Sequence, residues 1–452
     1  MGDVTTSVMW FRRDLRLGDN PAILEALASG PDGVVPLFVL DDRLWSTRAK
    51  ARTAALSVLL ADLSERIGGL HVVHGDPVEE VVRVARRVGA ASVHVSADFA
   101  PYGARRDRRV EEALASHRIA LVRTGSPYAV APGRVTKADG SGYRVFTPFA
   151  RAWREHGWRG PADETTDVPW IRPDGRTHEI PDLAPPDGMT LPPLGERAAL
   201  ERWEAFLDDD IADYDVARDL PGDDRTSRMS VHLKWGTIHP RTMLADLAPL
   251  RSKGATAYVR ELAFREFYAD VLHQRPDSAF GYYNPAFAAM EYDEPGDALE
   301  AWKAGRTGIP IVDAGMRQLE AEGWMHNRVR MIVASFLVKD LHVEWQHGAR
   351  HFLELLVDAD LASNQHGWQW VAGCGTDAAP YFRVFNPMTQ GKKFDPDGTY
   401  VRRWVPELAE VDARHVHTPW ELDEPPAGYP APMVDHAAER QESLRRYGAI
   451  TT

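Results

Sequence analysis

The sequence predicts an α/β domain with a parallel, Rossmann-like sheet, followed by an all-α domain. Over residues 7–123 short apolar runs alternate with amphipathic stretches, as in strand–helix–strand units. Beyond residue 196 the apolar residues recur almost wholly at helical spacing. At 452 residues the chain is also too long for one compact core. The expected division is 1–128 for the α/β domain, 129–195 for a long connection and 196–452 for the helical domain.

In order, SVMWF (7–11), VVPLFVL (34–40), LHVVH (70–74), ASVHV (91–95) and IALVR (119–123) read as buried strands. Helices are expected over 21–29, 50–67, 77–88 and 104–117, with Asp19-Asn20-Pro21 giving the first a cap and a first-turn proline. The crossovers between parallel strands are right-handed. FRRDLRLGDN follows the first strand where a nicotinamide dehydrogenase would carry GxGxxG, which disfavours that class. From about Gly125 to Pro193 periodicity fades into proline- and glycine-rich runs, expected to wrap over the surface with short helices such as 147–157. Further helices are expected over 196–209, 239–248, 254–273, 297–304, 312–321, 324–341 and 347–356. In the sixth of these, Val329, Ile332, Val333, Phe336 and Leu337 form one buried stripe, while Asn327 and Met331 share a neighbouring face.

Composition narrows the function. A hydrophobic share of 44% and a charged share of 26% belong to an ordinary globular protein. The single cysteine, Cys374, rules out a disulfide framework and a multi-cysteine metal or iron–sulfur site, and is expected to be inert in a reducing cytoplasm. A signal h-region and any run near the roughly 20 apolar residues of a bilayer span are missing, so a cytoplasmic protein with no membrane partner is expected. The net charge of -13 tells against nucleic acid, although a local basic groove can still hold phosphates.

The densest stretch is DADLASNQHGWQWVAGCGTDAAPYFRVFNP (358–387), too polar for core and too aromatic for a solvated loop. Aromatic rings beside planar amides suit a heterocycle or a stacked base, though Trp368 and Trp370 also read as core. In DRTSRMSVHLKWG (224–236), Thr226, Ser227 and Ser230 near a helix start form a phosphate cradle or a simple N-cap. In AYVRELAFREFYADVL (257–272), Tyr258, Glu261, Phe264 and Arg265 share a helix face, as a functional set or as a surface ion pair beside core aromatics. Arg330 and Asp358 are expected partners through two parallel bonds. Asp358 and Asp360 lack the further ligands a metal needs, so no metal is expected.

These stretches, together with VMWFRRDLRLGDNPA (8–22), resemble the DNA photolyase and cryptochrome family, specifically its class I bacterial cyclobutane-dimer photolyases, over most of the chain to about Trp420. The resemblance implies that the helical domain binds FAD, with Tyr214 on the cofactor and Thr226, Ser227, Arg228, Met229 and Ser230 at its pyrophosphate. Arg330, Asp358, Asp360 and Asn364 would surround the isoalloxazine, with Asn364 beside N5. Glu261, Asn327, Met331 and Trp370 would hold a flipped-out pyrimidine dimer, and Asn327 with Met331 favours cyclobutane dimers over (6-4) products. Contacts to UV-damaged DNA would come from Arg218, Glu261, Phe264, Arg265, Asn327, Arg328 and Gln390. The family usually has tryptophan where this chain has Tyr258 and Phe264, so lesion stacking is expected to weaken by about 1–2 kcal/mol.

Trp368 and Trp345 match the inner members of the family's electron chain, and Tyr292 stands where the outermost tryptophan would be. For a second chromophore, Arg52, Asp98 and Lys234 resemble members holding 8-hydroxy-5-deazaflavin. Members with methenyltetrahydrofolate, the alternative, carry an Asn-Glu pair in place of Tyr102-Gly103. The implied activity is light-driven dimer repair by electron transfer from reduced FAD, by a monomer. A cryptochrome photoreceptor without repair is the alternative, and a flavin electron carrier indifferent to DNA is a third class.

Overall fold

A computed structural model describes residues 5–45, 49–164, 167–175, 177–377 and 382–451; residues 378–381 of the dense aromatic stretch fall outside it. The sheet has strands β1 (Thr6–Phe11), β2 (Gly33–Leu40), β3 (His71–His74), β4 (Ser92–Val95) and β5 (Ala120–Arg123), all parallel, in the order β3-β2-β1-β4-β5. Each strand begins within a residue of its expected start. β1 and β2 are buried throughout, as strands covered on both faces must be. Pro36 sits in β2 one residue before β3 begins to pair at Leu37, so its missing N–H costs that ladder nothing.

Three expectations change. β5 lies at the sheet edge with exposed or half-exposed residues, so its apolar run does not mark a buried strand. Asn20 does not cap the helix Pro21–Ser29: its amide donates backward to Arg16 O at 3.2 Å instead. The connection does not simply wrap the surface. Its Trp170 bridges to Val34 of β2, and its helix Phe146–His156 buries Phe146, Phe149 and Trp153. Glu266 accepts from Trp153 Nε1 at 2.5 Å and from Val130 N at 3.0 Å, tying the start of the connection and its helix to the long helix Lys253–Gln274.

The helical part packs around helices Pro310–Glu322, Asn327–Lys339, Trp345–Leu355 and Leu361–Ala372. The stripe of Val329, Ile332, Val333, Phe336 and Leu337 is wholly buried there. Gly348 lets the helix Trp345–Leu355 lie against the Trp368 ring; a Cβ would collide with it. Further helices at Pro387–Phe394, Thr399–Trp404 and His436–Thr451 carry weaker sequence periodicity and were not expected.

The dense stretch is also more buried than its polarity suggests. In the helix Leu361–Ala372, Gln365, His366 and Gln369 are all buried, and each finds a partner in residues 278–283. Gln365 Nε2 donates to Ala279 O at 2.5 Å, His366 Nε2 meets Ser278 Oγ at 2.9 Å and Gln369 Nε2 donates to Ser278 O at 2.8 Å. A polar row can be core when a neighbouring segment offers its backbone.

Candidate functional site

A cavity of about 640 Å3 opens between the helices Lys253–Gln274, Asn327–Lys339 and Leu361–Ala372 and the segment around Thr226. It gathers most of the expected residues. Its wall includes Tyr214, the run Thr226 to Ser230, Arg330, Asp358, Asp360 and Asn364, expected against a cofactor, and Arg218, Glu261, Phe264, Asn327, Met331 and Trp370, expected against a lesion or DNA. More basic than acidic side chains line it, against the net charge of -13 for the whole chain.

Arg330 and Asp358 pair as expected, but through one bond and not two: Arg330 Nη2 reaches Asp358 Oδ2 at 2.8 Å while its Nε donates to Met325 O. Among the described residues Asp358 Oδ1 has no hydrogen-bond partner, nor have Thr226 Oγ1 and His326 Nε2 on the same cavity. Buried polar atoms are nearly always met, and these three on residues of one cavity wall leave hydrogen-bonding capacity there that the described residues do not fill. Arg228 adopts a left-handed φ of 55°, pairs with Asp224 at 2.8 Å and covers the Trp324 ring. Ser227 Oγ hydrogen-bonds Tyr258 Oη at 2.8 Å, so Tyr258 supports the Thr226–Ser230 turn and is itself buried.

Asp360 accepts Ser363 N at 3.0 Å, capping the helix Leu361–Ala372, and pairs with Arg13 of the α/β domain at 2.7 Å. Burial alone would raise its carboxyl, but Arg13, Arg265 and Lys234 hold it well below the usual range. Burial, reinforced by Arg13, pushes the Lys234 amine down to about 7. Asp98 and Arg52 lie outside the cavity lining but within the field of Lys234, so the three expected antenna residues share one electrostatic environment. Arg52 donates to Leu356 O at 3.4 Å and to Leu353 O, at the C-terminus of the helix Trp345–Leu355. Asp98 packs directly over Gly103, where any Cβ would meet its carboxylate.

Glu261 is held by Arg218 at 2.5 Å. Phe264 stacks face to face on Phe146, centroids 3.4 Å apart, and the Arg260 guanidinium lies over both rings. Trp370 donates to Asp377 O at 3.1 Å. The DNA contact expected of Arg265 does not fit its geometry. Its guanidinium donates inward to Pro127 O at 2.9 Å and Leu233 O at 3.2 Å and covers the Tyr128 ring. Arg328 lies outside the lining, paired with Asp219 at 2.6 Å, and Gln390 sits half-buried on the helix Pro387–Phe394.

Trp368 borders the cavity and Trp345 is buried one turn before Gly348, the residue packed on the Trp368 ring. Tyr292 is half-buried; Tyr282 stands edge-on to Trp345 at 6.3 Å and donates to Glu344 at 2.5 Å. Cys374 is buried and its thiol is pushed up to about 12 by desolvation, as an inert cysteine should be. Arg13, Tyr282, Phe146 and Gln365 were not singled out from sequence. Arg13 and Gln365 lie inside longer motifs, and each of the four has a partner in a distant segment that no local pattern marks.

The family model described as DNA photolyase matches residues 7–178, and the model described as the FAD binding domain of DNA photolyase matches residues 258–449. A curated deoxyribodipyrimidine photo-lyase of Streptomyces griseus is 44% identical over 98% of this chain and all of its own. Among solved structures, a class III photolyase from Agrobacterium tumefaciens superposes with a TM-score of 0.92 at 34% identity, covering 100% of this chain and 98% of its own. A cryptochrome from Synechocystis superposes with a TM-score of 0.89 at 26% identity, covering 98% of this chain and 100% of its own. The chain therefore belongs to the DNA photolyase and cryptochrome family and carries that family's FAD-binding domain.

Proposed function

We propose that the protein is a class I photolyase that repairs cyclobutane pyrimidine dimers in DNA. One observation carries the reading: the residues expected against a flavin and those expected against a lesion line a single cavity. The residues present fit FAD: Thr226 and Asp358 line the cavity, and a hydroxyl of one and a carboxylate oxygen of the other have no partner among the described residues. When bound, reduced and photoexcited, FAD supplies one electron to the flipped-out dimer, which recovers two pyrimidines and gives the electron back.

The chain's part is to hold and orient. Thr226 to Ser230 and Tyr214 would fix the pyrophosphate side, and Arg330, Asp358, Asp360 and Asn364 the ring. Glu261 would bond the damaged base once Arg218 leaves it for a phosphate; Arg328 and Gln390 would add salt-dependent backbone contacts. Phe264, backed by Phe146, and Trp370 would clasp the dimer beside Asn327 and Met331. Trp368 and Trp345, with Tyr292 outermost, would carry electrons inward to reduce the flavin.

Arg52, Asp98 and Lys234 would hold an 8-hydroxy-5-deazaflavin antenna, a lysine being suited to its ionised hydroxyl. The folate alternative is disfavoured because Gly103 offers no side chain where folate-holding members place a glutamate, and the Asp98 carboxylate fills the space beside it. A monomer in the cytoplasm, divided at 1–128, 129–195 and 196–452, completes the proposal.

The test is dimer loss from UV-irradiated oligothymidine with reduced protein, under blue light and in darkness. Light-dependent recovery of thymine absorbance is expected. The likeness to the Synechocystis cryptochrome favours a second reading, a photoreceptor without repair. Bound, photoreducible FAD with no dimer loss would select it.

A further inference from the structure

Asn364 lines the cavity, and its amide is wired in one direction. Its Nδ2 donates to Ala349 O at 3.1 Å and to Gln365 Oε1 at 2.8 Å, while Gln365 Nε2 donates to Ala279 O at 2.5 Å. Backbone carbonyls can only accept, so neither amide is free to flip. Ala279 O must receive the Gln365 nitrogen, which turns Oε1 toward Asn364. Ala349 O and that Oε1 must both receive the Asn364 nitrogen. Oδ1, a pure acceptor, is what remains for the cavity.

Gln365 is buried and its anchor is rigid. His366 and Gln369 clamp the same segment through Ser278, and Tyr283 N donates to Gln369 Oε1 at 2.7 Å. Rotating the Asn364 amide would leave two carbonyl-type acceptors facing one another on each side, costing about 1–3 kcal/mol for each buried group unmet.

We propose that Gln365 is a positioning residue that locks Asn364 as an acceptor, so that the cavity prefers flavin forms carrying a hydrogen at N5. The inference rests on the reading that FAD occupies the cavity with N5 toward Asn364. Oxidised flavin presents a lone pair at N5, which an acceptor repels; two-electron reduction places an N–H there, which an acceptor welcomes. With Gln365 gone, one of the two acceptors that fix the Asn364 nitrogen is lost, and only Ala349 O still opposes the turn that offers an N–H to the oxidised ring.

The experiment measures dissociation constants of reduced and oxidised FAD for the full-length apo-protein, its Gln365→Met variant and a Gln369→Met variant. The parent is expected to favour reduced FAD. Gln365→Met should cut that preference roughly fivefold to tenfold, chiefly by tightening the oxidised form. Gln369→Met, which loosens the same clamp without touching Asn364, should leave the ratio unchanged. With 5-deaza-FAD, which carries C–H at that position, parent and Gln365→Met should not differ.

An unchanged ratio in Gln365→Met, or an equal drop in Gln369→Met, overturns the proposal. A parent that binds both forms equally does so too and leaves the FAD reading intact. A parent that binds neither form overturns the FAD reading itself.

Discussion

Two polar regions of the molecule are built oppositely. At the domain interface, Asp19 accepts from Arg241 at 2.6 Å, Ala162 N at 2.7 Å and Thr242 at 3.1 Å. Glu196 accepts from Leu17 N at 2.6 Å, Gly18 N at 2.8 Å and Arg66. All four carboxylate oxygens are met by the protein; among the described residues, the neighbouring Asp14 Oδ2 and Arg16 Nε go without. On the cavity wall, Thr226, His326 and Asp358 each keep a buried atom that no described residue meets. The interface is a latch, finished within the chain. The cavity is a socket, finished by something the chain binds.

Cutting the latch should have the largest effect. Asp19→Ala strands Arg241 in the interior and should cost about 3–5 kcal/mol in denaturant unfolding, while the fraction that folds still binds FAD. A proton-linked effect in the socket comes next. Lys234 falls from an ordinary 10.5 to about 7 on folding, so between those values the unfolded chain holds more protons. Stability of the apo-protein should therefore rise as pH climbs from about 7 toward 10, and Lys234→Met should flatten the slope. An anionic antenna at Lys234 would also flatten it, by keeping the amine charged.

The smallest effect should come from the aromatic chain, where neither region's polar atoms are involved. Tyr292→Phe should slow flavin photoreduction and leave stability within about 0.5 kcal/mol of the parent. Tyr282→Phe should not slow it if Tyr292 is the terminal donor. The reverse pattern would move that role to Tyr282, whose hydroxyl already has Glu344 as a proton acceptor.

The latch and the socket also differ in how far sequence exposes them. The socket was largely legible, because its residues sit in long local motifs: Thr226 to Ser230, Asn327 to Met331 and Asp358 to Trp370 each occupy one helix or turn. The strands were legible because buried parallel strands are apolar without interruption, and β5 misled because an edge strand can carry the same apolar run. The latch was not legible. Arg241 and Glu196 meet Asp19 and Leu17 across more than a hundred residues of chain, and no local period marks them.

The same limit hid Phe146 behind Phe264, turned Arg265 inward and left Asn20 uncapped, since each outcome is decided by a neighbour from another segment. The polar row of Gln365, His366 and Gln369 is the instructive case. From sequence it argues against core; its partners at 278–283 make it core.

The most direct test of the distinction between latch and socket is Thr226→Val, measured twice. Valine keeps the volume and removes an oxygen the chain itself leaves unmet. Apo-protein stability should hold or rise slightly, while FAD affinity should fall about tenfold, one hydrogen bond's worth. Lost apo stability with unchanged FAD affinity would mean that Thr226 is finished within the fold, and that unmet atoms do not outline the cofactor.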